Sequence, residues 1–236
     1  MTLHKDNYFP SQWEFLTNKP KCRIVSYIGG MGSGKTTCLL SACFIALIKK
    51  QNNEGKSNGL VLYPTYSLAE EVFIEPFKDM LERNGIDYSY NIAAHKFKTA
   101  YGNIKIYQMR YQHRIVGASY TFAAIDELDT EPFRQAELVV QKVLGRLRGC
   151  EDAELYITST PEGFSYCHHL LVEKAGPDRL LVHGKTTDNK YLPASYIQSL
   201  RDNYDDNLLK AYLEGRFVNL QKGNTYAFER EKNVKE

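Results

Sequence analysis

An α/β fold built on a mainly parallel sheet flanked by helices is what the sequence predicts, and three observations carry it. Short apolar and β-branched runs recur at 23–28, 59–64, 121–127, 154–159 and 179–184, each cut off by glycine, proline or charge. Such runs, lacking polar alternation, mark strands covered on both faces. Stretches with helical spacing stand between them, at 36–50, 67–85 and 132–144, so strands and helices alternate as in βαβ units. Third, a glycine-rich turn joins the first run to the first helix.

That turn, Gly29-Gly30-Met31-Gly32-Ser33-Gly34-Lys35-Thr36-Thr37, fits the phosphate-binding pattern G-x-x-x-x-G-K-[ST]. Glycines let the backbone turn tightly, so that several N–H groups face one anion. Lys35 supplies a mobile charge for the β- and γ-phosphates, and the Thr36 hydroxyl is a hard oxygen ligand suited to Mg²⁺. The helix that follows, with Leu39, Leu40, Phe44, Ile45, Leu47 and Ile48, aims the favourable end of its dipole at the phosphates. The expected ligand is a nucleoside triphosphate.

Upstream, Ser11 is expected to cap a short helix carrying Trp13, Phe15 and Leu16. Gln12 on that helix has an amide that donates and accepts at once, as reading an adenine edge requires; the alternative is an exposed glutamine. Downstream, residues 51–58 read as a surface loop and 59–64 as a buried strand stopped by Pro64. Ser67 with Glu70 forms a capping box for a helix to Gly85. A polar region follows, then a strand at 104–109 with one exposed face.

Thr121-Phe122-Ala123-Ala124-Ile125-Asp126-Glu127 describes a buried strand ending in two carboxylates, at the strand end where open parallel sheets bind ligands. Asp126 suits Mg²⁺, directly or through water. Glu127 is placed to deprotonate the water that attacks the γ-phosphate. Loop and acidic tip together point to a P-loop NTPase of the ASCE/RecA-like kind, the terminal phosphate lying between the lysine turn and a neighbouring parallel strand.

A helix at 132–144 ends at Gly145-Arg146-Leu147-Arg148-Gly149. These arginines are suited to an anion, either DNA or the nucleotide of a neighbouring subunit. The strand at 154–159 ends in Thr158, Ser159 and Thr160, hydroxyls placed to sense the γ-phosphate and move the segment after them. A last core strand follows at 179–184. From Asp188 onward the texture changes to short polar helices at 193–204 and 205–214.

The bulk numbers set bounds. The 236 residues suit one α/β domain with a small appendage, and 43% hydrophobic with 25% charged is ordinary for a globular chain. A formal charge of +2 does not by itself announce nucleic acid, although a local basic face suffices for it. No apolar stretch reaches about 18 residues and no signal pattern opens the chain, so it is expected to be soluble and intracellular. The five cysteines lack C-x-x-C spacing and read as reduced, buried small hydrophobes. Cys167-His168-His169 invites a zinc reading, but adjacent helical residues diverge and no second ligand pair follows.

Several landmarks then line up in one order: Phe9-Pro10-Ser11-Gln12, the phosphate loop, Leu62-Tyr63-Pro64-Thr65-Tyr66-Ser67-Leu68, Ile125-Asp126-Glu127, Gly145-Arg146-Leu147-Arg148, Thr158-Ser159-Thr160-Pro161-Glu162-Gly163, Thr187-Asp188-Asn189 and Leu213-Glu214-Gly215-Arg216-Phe217-Val218. Together they resemble the N-terminal ATPase domain of the large terminase subunit of tailed bacteriophages, the motor that packages double-stranded DNA into procapsids. The resemblance covers essentially the whole chain. It implies a Mg²⁺-dependent ATPase in which Gln12 contacts adenine and residues 29–37 hold ATP. Thr36 and Asp126 would hold Mg²⁺, Glu127 would be the base, and Thr158, Ser159 and Thr160 would couple hydrolysis to DNA movement. It further implies an ATPase core at 1–188, a lid subdomain at 189–222 and a linker at 223–236. Implied partners are other copies in a ring, the portal protein and the small terminase subunit, in the host cytoplasm.

Two departures matter. Many members carry an arginine within the phosphate loop where this chain has Met31, so Arg146 or Arg148 is expected to complete a neighbour's site. The family's large subunits continue into a nuclease domain, of which residues 223–231 resemble only the beginning, so a fragment without nuclease activity is expected. Two other readings use a similar core. A helicase- or recombinase-type ATPase needs a second RecA-like domain, and no second phosphate loop follows. A nucleotide-switched binding module of the GTPase kind needs N-K-x-D, and Asn189-Lys190-Tyr191-Leu192 lacks the aspartate.

Overall fold

The apolar runs assemble into one sheet. The computed structural model describes residues 4–18 and 21–220; the expected linker at 223–236 lies outside them. The strands are β1 (Ile24–Gly29), β2 (Ser57–Tyr63), β3 (Tyr88–Asn91), β4 (Lys96–Thr99), β5 (Gly102–Gln108), β6 (Phe122–Asp126), β7 (Glu154–Ser159) and β8 (Arg179–Gly184). Among the described residues they stand in the order β3-β4-β5-β2-β6-β7-β1-β8. From β5 to β8 every pairing is parallel, and β3 and β4 add an antiparallel hairpin.

Every residue of β1, β6 and β7 is buried, which is why these strands read as unbroken apolar runs. On one face α2 (Lys35–Lys49) packs Leu39, Cys43, Phe44 and Leu47 against Val25, Val61 and Ala124. Its Cys38 and Cys43 are fully buried. On the other face α5 (Phe133–Arg146) sets Ala136, Val139, Val140 and Val143 on Ala123, Ile125, Leu155 and Ile157. Burying both faces is the main force holding the layers together.

Several local expectations are corrected. The first helix, Pro10–Thr17, starts before Ser11 with Phe9 at its cap; Pro10 is pre-set for the first turn, and Ser11 Oγ instead meets the Tyr27 hydroxyl at 3.0 Å. The helix after β2 is capped by Thr65, whose side chain accepts from Leu68 N–H at 3.2 Å, rather than by Ser67. It runs from Tyr66 to Arg83 through a wide turn at Glu70–Ile74. The polar region before β5 holds the β3–β4 hairpin, anchored by Phe97, which is buried against Phe77 and Tyr90. Strand β8 stands at the sheet's edge and is only partly buried. Gly145 and Arg146 belong to the last turn of α5. Finally, β1 and β6 do not pair, because β7 lies between them.

Candidate active site

Because β1, β6 and β7 are parallel, their C-terminal ends meet on one edge, and the glycine turn, Asp126 and Thr158-Ser159-Thr160 converge there. Gly32 and Gly34 have φ of +72° and +84°, a region open to glycine but strained for other residues. At Gly34 a Cβ would also stand 2.6 Å from Gln12 Nε2. The turn leads straight into α2, whose first residue is Lys35. A cleft of about 630 Å³ opens over it, lined by Met31, Gly32, Gly34, Lys35, Thr36, Thr37, Glu127, Thr160 and Glu162.

Lys35 is buried and its ammonium donates to Gly30 O at 3.0 Å. The same ammonium lies 3.8 Å from Glu127 Oε1. Glu127 sits in the left-handed region at φ +52°, unusual for a residue with a Cβ and a mark of backbone held by its surroundings. Its carboxylate accepts from Thr160 N–H at 3.0 Å and Thr160 Oγ1 at 3.4 Å, and its own N–H donates to Thr158 O at 2.7 Å. The tip of β7 therefore holds Glu127 from both its backbone and its side chain.

Asp126 is buried. It accepts from Thr36 Oγ1 at 3.2 Å, Thr158 Oγ1 at 2.6 Å and Glu127 N–H at 3.1 Å. Burial, then the charge of Glu127, push its carboxyl up to about 6, against the hydrogen bond from Thr158. A divalent cation between Asp126 and Thr36 would offset that electrostatic cost, and hard oxygen donors are the ligands Mg²⁺ takes. The residues fit the ion.

Gln12 is buried, not exposed: its Oε1 accepts from Phe9 N–H and its Nε2 donates to Gly34 O, each at 3.1 Å. Ser33 is buried too, and its hydroxyl has no partner among the described residues. Ser159 Oγ receives Asp129 N–H at 3.0 Å, tying the loop after Glu127 to β7. Arg146 and Arg148 are not brought to this site. Arg146 O accepts from Tyr120 N–H, and Arg148 Nε donates to Ser119 Oγ at 3.1 Å. Both therefore lie where β6 begins, at the opposite edge of the sheet from Asp126.

The structure adds contacts to the phosphate loop that no local pattern announced. Thr186 Oγ1 donates to Met31 O and Asn189 Nδ2 to Gly32 O, both at 2.7 Å. Met31 N–H donates to Tyr212 O at 2.7 Å. Residues 186–213 thus return to pack against the phosphate loop.

The family model described as terminase large subunit, T4likevirus-type, N-terminal, matches residues 26–233. No curated protein matches the chain by sequence. Among solved structures, the large terminase of thermophilic bacteriophage D6E in complex with ADP has a TM-score of 0.73 at 18% identity, covering 89% of this chain and 54% of that one. The large terminase ATPase domain of Thermus phage P74-26 gives a TM-score of 0.69 at 18% identity, covering 90% of this chain and 95% of that one. The HK97 bacteriophage large terminase gives 0.62 at 15% identity, with 90% and 43% covered. The chain spans about half the length of the D6E protein, and at these identities the likeness is one of fold.

Proposed function

The chain belongs to the terminase large subunit family, matching its N-terminal part, and on that premise we propose that it hydrolyses ATP with Mg²⁺ to drive double-stranded DNA into procapsids. The observation that carries the reading is the convergence of Lys35, Thr36 and Glu127 on one cleft, with Asp126 buried behind it and bonded to Thr36. In this reading Lys35 and the loop amides bind the phosphates, and Thr36 with Asp126 holds Mg²⁺. Glu127 takes a proton from the attacking water as that water bonds to the γ-phosphorus and the bond to the β-phosphate oxygen breaks. Bound ADP and ATP-γ-S in D6E terminase structures support the nucleotide assignment.

Gln12, whose amide keeps one hydrogen and one lone pair beyond its two internal bonds, is proposed to reach adenine. Thr158, Ser159 and Thr160 are proposed to couple hydrolysis to DNA movement. Arg146 or Arg148, remote from the chain's own cleft, is proposed to act on the nucleotide of the next copy in a ring. Residues 1–188 would be the ATPase core, 189–222 the lid and 223–236 a linker, with portal protein and small terminase subunit as further partners. No helix of the described residues is long and apolar enough to cross a membrane.

Turnover of ATP and GTP by the isolated chain, with and without duplex DNA, tests the reading. Mg²⁺-dependent ATP hydrolysis stimulated by DNA is expected. Absence of hydrolysis under every condition would overturn it.

A further inference from the structure

One ring of contacts joins four separate stretches of the chain. Met31 N–H donates to Tyr212 O at 2.7 Å. The Tyr212 hydroxyl donates to the carboxylate of Glu162, 3.1 and 3.2 Å from its two oxygens. Glu162 follows Thr160-Pro161, and Thr160 N–H holds Glu127 at 3.0 Å. Glu127 faces Lys35 at 3.8 Å, and Lys35 donates to Gly30 O at 3.0 Å, next to Met31. Phosphate loop, acidic tip, β7 turn and the helix Asp206–Tyr212 are thereby closed into one circuit.

We propose that Tyr212 is a positioning residue for hydrolysis: it ties the phosphate loop to the turn that holds Glu127, so that loading the loop resets the carboxylate. This rests on the ATPase reading above. Phosphate in the loop competes for the Lys35 ammonium and draws it from Gly30 and Glu127. The loop and Tyr212 are closely apposed: Met31 N–H is bonded to Tyr212 O, and a Cβ on Gly30 would stand only 2.5 Å from Tyr212 O and 2.8 Å from Leu213 O. At the far end, Glu162 lines the same cleft as Glu127, so phosphate charge arriving there repels it. The Tyr212 hydroxyl is the hydrogen-bond donor that restrains Glu162. The Tyr212 ring is itself oriented edge-on by Tyr204, with centroids 5.7 Å apart. Both ends of the tie are therefore anchored, and its one removable atom is the phenolic oxygen.

Tyr212→Phe keeps the ring and the backbone carbonyl and removes only that oxygen. Expected are a kcat for ATP lowered about tenfold and a KM within about twofold, the signature of an interaction that matters after binding. Glu162→Gln keeps an acceptor for the Tyr212 hydroxyl but removes the charge, so it should be slowed less than Glu162→Ala, which should match Tyr212→Phe. The double variant Tyr212→Phe/Glu162→Ala should be no slower than either single, because both break one link. An unchanged kcat, a shift in KM alone, or losses that multiply would overturn the proposal. Hydrogen exchange with ATP-γ-S gives a readout free of turnover. In the parent, nucleotide should change protection at both 29–36 and 159–164; in Tyr212→Phe, only at 29–36. Equal changes in both proteins would overturn the role of Tyr212 whether or not the chain hydrolyses ATP, whereas loss of hydrolysis alone in the parent would sink the ATPase reading.

Discussion

Lys35 Nζ and Glu127 Oε1 stand 3.8 Å apart, although the strands that deliver them, β1 and β6, are separated by β7. The intervening strand is what makes the approach possible. Its tip supplies Thr158 and Thr160, which hold Asp126 and Glu127 in place.

Glu127→Gln keeps the size and one of the two acceptor oxygens but removes the base. ATP turnover should fall by about 10²-fold or more while nucleotide affinity stays within a few-fold. Lys35→Ala should lose both binding and turnover. Equilibrium binding of a fluorescent ATP analogue beside a phosphate-release assay separates the two, and retained turnover in Glu127→Gln would remove that residue from the chemistry.

Thr158→Val deletes the hydroxyl that donates to Asp126 at 2.6 Å with little change of volume. Partners of metal-bound carboxylates tune metal binding, so the Mg²⁺ needed for half-maximal turnover should rise about 10- to 100-fold. Leaving part of a buried acceptor unsatisfied should also cost about 1–3 kcal/mol in denaturant unfolding. Mg²⁺ titrations that superpose on the parent's would refute the first half.

Arg146 and Arg148 lie at the opposite edge from Asp126, so the proposed role on the nucleotide of another copy predicts an effect that depends on assembly. Activity per subunit should rise with protein concentration. Mixing Arg148→Ala or Arg146→Ala chains with Glu127→Gln chains should partly restore turnover, and specific activity flat across the range would count against it.

Gly30→Ala places a methyl group 2.4 Å from Thr186 Oγ1 and 2.5 Å from Tyr212 O. The seam between phosphate loop and residues 186–213 should open, at a cost of about 1–3 kcal/mol. Gly145→Ala is the control: it lies in α5 with nothing within 4 Å of a new Cβ, and should stabilise by about 0.5–1 kcal/mol. Thermal unfolding of the two variants should move in opposite directions.

Lys50 is buried, donates to Asp152 O at 2.6 Å and Asp152 Oδ2 at 2.7 Å, and forms an ion pair with Glu154 Oε1 at 2.9 Å. Lys50→Met takes the cation from the buried Glu154, which keeps its hydrogen bonds from Tyr156 and Asn18, and should cost about 3–5 kcal/mol. Partial burial raises the Asp152 carboxyl, but hydrogen bonds from Lys21 and Lys50 outweigh it and hold the group below its ordinary 3.8. With the folded value below the unfolded one, that stabilisation is present above about pH 4 and fades as the solution is acidified. Unfolding followed from pH 6 to 2.5 should show a weaker acid dependence in Lys50→Met.

Short-range physics alone determined much of this protein. The parallel strands are covered on both faces and so read as continuous apolar runs, and the glycine turn and Asp126-Glu127 are chemistry written in adjacent residues. The β3–β4 hairpin was not legible, because its half-buried polar strands gain their order from pairing with β5. Nor were the helix caps at Phe9 and Thr65, the burial of Gln12, or the places of Thr186, Asn189 and Tyr212 against the phosphate loop. The last three depend on where the chain returns after more than a hundred residues, through backbone carbonyls that every residue type carries. Only the tertiary structure decided which strand lies between β1 and β6, and with it how a lysine and a glutamate distant in sequence come to share one cleft.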